Sequence, residues 1–407
     1  MSVGEGVAGD RTPRPLDDVT VLDLSRVLAG PYCAMLLGDL GANVIKVERP
    51  GQGDDSRAWA PPSAGGESAY YLSANRNKRS ITLNLKHPAA RDICVRLAQR
   101  ADVLLENFKF GDMEALGLGY KRLSALHPGL VYCSFTGYGA GSPYQDRPGY
   151  DFAIQAMSGL MSITGAPDGE PMKFGVAIVD VLAGLYAGIA VQAALRHRDR
   201  TGQGQHIEIS LLDSALAGLV NVASSYLVNG QDPLRYGNAH ATVVPYQAFA
   251  ARDRWFVVAV GNDSQFQALA RALGQPGLAA DVRFATNPAR IEHRQQLLSL
   301  LEPTFRQRTA DEWLEQLSAA GVPVAPINTV PAILNDAHVA TRGMVAEIPH
   351  PSAGSVKLVA PPFRLSVTPA TIDRPPPLLG EHTNEILRDE LGLSAAEIGA
   401  LRQAGAL

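Results

Sequence analysis

Cysteine is scarce in this chain, with Cys33, Cys94 and Cys133 the only three among 407 residues. They are odd in number and far apart, and they fit neither a zinc-binding spacing nor a disulfide framework. Buried free thiols in a reducing, cytoplasmic compartment are the expectation. Long uninterrupted apolar runs are also missing. The longest apolar segment, Val176 to Leu195, contains Asp180 and Gln192, so no membrane span is expected. Residues 1–16 are polar and lack the apolar centre of a secretory signal. Neither sign of charge dominates. A net charge of −4 and an isoelectric point near 6.2 argue against non-specific nucleic-acid binding. There is no P-loop, no G-x-S-x-G elbow, no H-E-x-x-H and no cluster of metal-ligating residues, so no metal is expected.

What is present is a globular composition: 46% hydrophobic and 19% charged residues, with mean hydropathy −0.01. The length implies two or three domains. Val19 to Leu24 reads as a buried strand, Pro31 to Leu40 as a helix and Asn43 to Glu48 as a second strand, a Rossmann-type unit. Its crossing lacks G-x-G-x-x-G, which disfavours a nicotinamide or flavin dinucleotide. Further strands are expected at Lys78 to Leu85, Asp102 to Glu106 and Leu130 to Phe135, with an amphipathic helix over Pro88 to Arg100. Asn107, Phe108 and Lys109 follow a strand at the end where parallel sheets bind ligands. The loop Gly137 to Gly149, rich in Gly, Pro and Tyr, is a candidate functional loop. After about residue 230 the pattern changes to a strand pair, helices and more strand. The expected fold is therefore α/β: a Rossmann-like large domain (1–229, with the tail 361–407 returning to it) and a smaller α+β domain (230–360) with linkers.

The stretch Met172 to Ser214 holds the chemically informative residue. Asp180 stands at the head of an apolar segment that, as a helix, should be buried on nearly every face. Two roles suit it: an N-cap, or a nucleophilic carboxylate at a helix terminus away from bulk water. Residue type alone favours the cap.

Seven phrases, in order, bear on the choice: VLDLSRVLAGPYCAMLLGDLGANVIKVERPGQGDDSR, NRNKRSITLNLK, ADVLLENF, RPGYDFAIQAMSGLM, VAIVDVLAGLYA, TGQGQHIEISLLDS and PPPLLGEHT. Together they resemble the class III coenzyme A transferases, a family that includes formyl-CoA transferase, carnitine CoA-transferase and the α-methylacyl-CoA racemases. The resemblance runs from about Leu16 onward and is greatest to the succinyl-CoA–dicarboxylate branch. It implies an interlocked homodimer, coenzyme A and acyl-CoA as substrates with no permanently bound cofactor, and Asp180 as the nucleophile. It also implies coenzyme A contacts at Leu28, Ala29, Arg49, Leu83, Lys86, Asn107, Phe108 and Lys109. Tyr150 and Asp151 match the tyrosine–acid pair of the transferases. The racemases carry a histidine where Tyr150 stands, and without imidazole a base titrating near neutrality is missing.

The implied reaction moves coenzyme A from a succinyl-CoA-like donor to a carboxylic acid, with a dicarboxylate as the expected acceptor, through an aspartyl anhydride and an aspartyl-CoA thioester. A racemase or epimerase and a non-catalytic CoA-binding protein are the alternatives. Arg26, Arg57, Arg76 and His240 are the candidates for the distal carboxylate of a diacid. Two departures stand out. Formyl-CoA transferase has glutamine at the position of Leu28, and its tetraglycine loop has only Gly261-Asn262 as a counterpart. An aspartate should need no base beside it, being ionised at neutral pH by its ordinary pKa.

Overall fold

The computed structural model describes residues 13–407, so the reading of residues 1–16 lies mostly outside the described residues. The chain divides into two compact units. Unit 1 holds the chain up to Leu160, Phe174–Leu227 and Ala337–Leu407; unit 2 holds Met161–Lys173 and Val228–Asp336.

Unit 1 is built on six strands: β1 (Thr20–Asp23), β2 (Asn43–Glu48), β3 (Lys78–Thr82), β4 (Val103–Glu106), β5 (Val131–Thr136) and β6 (His206–Ser210). All are parallel and run in the order β3-β2-β1-β4-β5-β6, that of a dinucleotide-binding sheet. Strand periodicity sends alternate side chains to opposite faces. Val21, Val44, Val103, Leu105, Val131 and Cys133 enter one core. Leu22, Ile45, Ile81, Leu104 and Tyr132 enter the other. Both faces are covered, which is why the central strands β1, β4 and β5 bury apolar side chains on both sides.

Five helices matter for the site: α1 (Ala29–Asp39), α2 (Pro88–Ala98), α3 (Asp151–Met157), α4 (Ile178–Thr201) and α5 (Leu211–Gly218). The expected helix at Pro31 begins two residues earlier, with Leu28 as its cap residue. The strand after TGQG stops at Ser210, because its hydroxyl accepts the Asp213 N–H at 3.1 Å and starts α5.

α4 corrects one expectation. It is not buried all round. Ala183, Gly184, Ala187, Val191 and Ala194 form a small-residue stripe inside the core, and Leu185 (42%), Tyr186 (38%) and Ile189 (68%) remain exposed. By length and composition α4 could cross a membrane, yet its stripe is packed on α1 in the sheet's core. That packing is close: a Cβ on Gly184 would sit 2.8 Å from the Ala29 carbonyl oxygen and 3.2 Å from the Tyr32 ring.

The boundaries also differ from those read in the sequence. The chain returns to unit 1 at Ala337 rather than at 361. The antiparallel pair Val345–His350 and Gly354–Val359 therefore belongs to unit 1, where Val356 and Leu358 pack on Leu72 and the Val359 carbonyl accepts from Arg76 at 2.9 Å. The proline-rich stretch after Pro361 is tied down too: the Pro377 carbonyl accepts from both Arg57 and Tyr71 at 3.1 Å. Unit 2 has a three-stranded antiparallel sheet in which Val324–Pro326 forms an edge, the position a proline-limited strand requires.

Gly184→Ala is expected to lower stability by about 1–3 kcal/mol, the usual range for overpacking a tight contact. The clash is with backbone, which cannot rotate away. Chemical denaturation followed by circular dichroism checks it.

Candidate active site

A cleft of about 420 Å3 opens at the carboxyl ends of the strands, a volume in the range of small-molecule sites. It lies where β1 and β4 are neighbours and the chain turns to opposite sides of the sheet, the usual crevice of such folds. One wall is Arg26 to Ala29, between β1 and α1. A second is Asn107 to Phe110, after β4. The third is the loop Gln145 to Asp151, and Asp180 closes the far side. Asn107 joins the first two walls. Its carbonyl oxygen accepts the Arg26 N–H at 3.0 Å, and its amide donates to the Arg26 carbonyl at 2.7 Å. Below it, the buried Glu106 carboxyl accepts the Phe108 N–H at 2.9 Å, and burial lifts that carboxyl to about 7.

Asp180 stands in the first turn of α4, but it is not the cap. The cap residue, Ala177, has no side-chain oxygen to offer. The work is done from outside the helix. Asp151 Oδ1 accepts the Val179 N–H at 2.8 Å, and Asp151 Oδ2 accepts from the Gln155 amide at 2.6 Å. Gln155 Oε1 in turn accepts the Phe174 N–H at 2.8 Å. Among the described residues, no hydrogen bond or ion pair occupies the Asp180 carboxylate. Burial first, and the Asp151 charge second, raise it to about 7. The expectation of an aspartate fully ionised at neutral pH therefore changes: burial and the Asp151 charge carry the acid form into the neutral range. The Tyr70 phenol is raised to about 12 by burial and by the Asp180, Asp151 and Asp54 carboxylates, so it stays protonated across the neutral range.

The cleft brings together Arg26, Leu28, Ala29, Asn107, Phe108, Lys109, Tyr150, Asp151 and Asp180 from the residues singled out in the sequence. Tyr150 is 66% exposed. Arg49 is an exposed residue beside the first wall: Asp55 Oδ2 accepts from Arg26 at 2.8 Å and Asp55 Oδ1 from Arg49 at 3.3 Å. The other candidates do not line the cleft. Leu83 is buried in the second core, so any contact from it runs through its backbone. Lys86 is exposed in the turn before α2. Arg57 is consumed by Glu48 and Glu67, each at 2.7 Å, with its guanidinium over the Tyr71 ring. Arg76 is buried against Asp39 at 2.6 Å. His240 lies in unit 2, where Nδ1 accepts the Thr242 N–H at 3.1 Å and the ring packs on Tyr246. Asn262 has a capping role, its side chain accepting the Gln265 N–H at 2.9 Å.

Sequence reasoning missed Arg147 and Gln155. Arg147 lies in the glycine-, proline- and tyrosine-rich loop already suspected of function, and it lines the cleft. Its guanidinium rests over Tyr144 at 4.4 Å and has no ion pair among the described residues. Gln155 follows Asp151 by one helical turn, a spacing at which such side chains meet.

The sequence model of CoA-transferase family III matches residues 16–383, and the chain belongs to that family. It is a CoA-transferase of family III, a class of enzymes that takes CoA thioesters as substrates. A human protein named succinyl-CoA:glutarate CoA-transferase is 44% identical over 96% of this chain and 90% of its own length. A succinate–glutarate CoA-transferase of Agrobacterium fabrum is 43% identical over 92% of this chain and 95% of its own length. The crystal structure of a CaiB/BaiF family protein from Brucella suis superposes with a TM-score of 0.83 at 44% identity, covering 93% of this chain and all of that one.

Asp151→Asn should move the acidic limb of the rate–pH profile to lower pH, since it removes the neighbouring charge. The shift should be partial, because burial is the larger cause of the raised value. A limb that stays in place, in steady-state rates measured between pH 5 and 9, would show that Asp151 does not tune Asp180.

Proposed function

We propose that this enzyme transfers coenzyme A from succinyl-CoA, or a similar acyl-CoA, to a dicarboxylic acid, with Asp180 as the covalent nucleophile. The observation that carries the reading is the unspent carboxylate of Asp180, aimed into the switch-point cleft while Asp151 does the capping. An Asp180 oxygen attacks the donor thioester carbonyl, the C–S bond breaks, and CoA thiolate leaves a mixed anhydride. The thiolate then attacks the Asp180 carbonyl carbon and releases the donor acid, leaving an aspartyl-CoA thioester. The acceptor carboxylate attacks that thioester and expels the thiolate. Finally the thiolate takes the acceptor acyl group and returns Asp180 as a carboxylate. Overall one thioester is exchanged for another through covalent steps, and no proton need be removed from the nucleophile once it is ionised.

Around it, Asn107, Phe108, Lys109, Leu28 and Ala29, with Arg49 beside the first wall and Leu83 and Lys86 beyond it, are proposed to hold the coenzyme. Phosphates suit Arg49, Lys86 and Lys109, and the aromatic face of Phe108 suits the base. For the second carboxylate of the acceptor, Arg26 and Arg147 are the arginines that line the cleft, and Arg147 is the one not already committed to a carboxylate. The names of the two transferases reported above, both of which act on glutarate, support the choice of a diacid.

We further propose that the working enzyme is an interlocked homodimer. What supports it is the apolar surface of unit 1, where Ile189 (68% exposed), Leu216 (48%), Val220 (67%) and Leu227 (81%) suit a second copy of the chain. The three free buried thiols support the cytoplasmic placement.

Asp180→Asn is expected to reduce CoA exchange roughly 1,000-fold or more, as loss of a covalent nucleophile does. Wild-type protein mixed with succinyl-CoA should yield a covalent CoA adduct on the Asp180 peptide by mass spectrometry. Exchange that survives in Asp180→Asn would overturn the assignment. Solvent-deuterium exchange at the α-carbon without an acceptor acid would favour the racemase instead. Arg147→Gln should raise KM for a diacid acceptor about tenfold, the scale of a lost charge-assisted contact, with a monoacid little affected.

A further inference from the structure

Four charged side chains lie completely inside unit 1 beneath the first wall of the cleft: Asp23, Lys46 and Lys78 are fully buried and Asp54 is 1% exposed. They alternate in sign. Lys46 pairs with Asp54 at 2.9 Å and lies 4.0 Å from Asp23; Lys78 pairs with Asp23 at 3.0 Å. Buried charges are retained only when paired and fully hydrogen-bonded; Lys78 also donates to Asn75 Oδ1 at 2.9 Å, and further bonds of the quartet reach one stretch of backbone. Lys46 donates to the Ser25 carbonyl at 3.0 Å, and Lys78 to the Pro31 carbonyl at 2.9 Å. Asp23 accepts the Ser25 N–H at 3.0 Å. The quartet therefore grips both ends of the turn Ser25 to Pro31, whose middle, Arg26 to Ala29, forms the wall facing Asp180.

At the centre of that turn the backbone is strained. Val27 has φ of +72°, a left-handed conformation that a β-branched residue rarely adopts. Its N–H donates to both oxygens of Asp54, at 3.1 and 3.3 Å. Asp54 is itself fixed: it accepts the Ser56 N–H at 2.9 Å and the Ser56 hydroxyl at 2.7 Å, and its own N–H donates to Glu48 Oε2 at 3.0 Å. Although burial opposes its charge, Lys46 keeps its carboxyl well below the usual carboxylate range, so the acceptor remains an anion throughout the working pH range.

We propose that Asp54 is a positioning residue for CoA transfer: by holding Val27 in its left-handed conformation it sets the Arg26–Ala29 wall opposite Asp180. This rests on the cleft being the transfer site, as proposed above. Asp54 touches no reacting atom. It acts through Val27, and the strain at Val27 supplies a test that a merely structural ion pair would not answer to.

Glycine adopts positive φ without strain. Adding Val27→Gly to Asp54→Ala should therefore restore the turn while leaving Lys46 buried without its partner. Three quantities are to be compared in wild type, Asp54→Ala and the double variant: kcat/KM for CoA transfer, amide hydrogen exchange over residues 25–29, and Tm. Asp54→Ala is expected to lower kcat/KM about tenfold or more, the rate equivalent of a modest misplacement, and to speed exchange in that segment. The double variant should regain most of the kcat/KM and the protection, with Tm still depressed. If Asp54→Ala does not fold, the isosteric Asp54→Asn, alone and with Val27→Gly, is read by the same criteria. Unchanged kcat/KM and exchange in the single variant, or a double variant no better than the single in both, would overturn the proposal and leave Asp54 a stabilising ion-pair partner. Should wild-type protein fail to transfer CoA, the function is wrong, and the hydrogen-exchange comparison alone decides whether Asp54 sets the turn.

Discussion

The hydrogen bond from the Val179 N–H to Asp151 is the contact on which the site depends. A helix N-terminus needs an acceptor, and the nearest carboxylate in sequence is Asp180 itself. Had Asp180 taken that job, its oxygens would face its own helix. Asp151, brought in by a separate short helix, takes it instead at 2.8 Å, and Gln155 holds the second oxygen. The consequence is electrostatic as well as geometric. The capping anion is also the charge that, after burial, does most to raise Asp180. Freeing the Asp180 carboxylate, the nucleophile of the proposed mechanism, and weakening its ionisation are thus two effects of one substituent.

The sheet explains why the walls meet where they do. In the order β3-β2-β1-β4-β5-β6 the crevice between β1 and β4 is unavoidable, and what fills it depends on the loops. Without a glycine fingerprint after β1, the turn there cannot cradle a pyrophosphate in the dinucleotide manner. It carries Val27 under strain and an arginine instead, stapled to the β4 loop through Asn107. A Rossmann-type sheet with this turn offers a broad cleft beside a carboxylate.

Much of this was legible in the chain. Strands at Asn43–Glu48 and Val131–Thr136 follow from runs of buried apolar residues, and the ordered phrases around Asp180 marked the family over most of the length. What was not legible depended on partners distant in sequence. Arg57 and Arg76 look like substrate clamps until Glu48, Glu67 and Asp39 are seen to consume them. The exposed face of α4 was hidden because its sequence is apolar on every side; only packing shows that the small residues go inward and Leu185, Tyr186 and Ile189 outward. The role of Asp54 was invisible because it resides in the backbone angle of Val27, which no side-chain pattern reports.

A raised pKa also has a consequence for stability whose sign runs against function. Asp180 in the folded chain titrates near 7 instead of 3.8. The folded state therefore favours the protonated acid. The stability linked to that preference is fully present below the unfolded value and is lost as pH rises through about 7. Attack on a thioester requires the anion. On the proposed mechanism the enzyme works where this carboxylate weakens the fold, and the surrounding structure must be stiff enough to tolerate it. The close packing of α4 on α1 at Gly184 and the doubly anchored turn before α1 supply that stiffness on the two sides of the cleft where the charge develops.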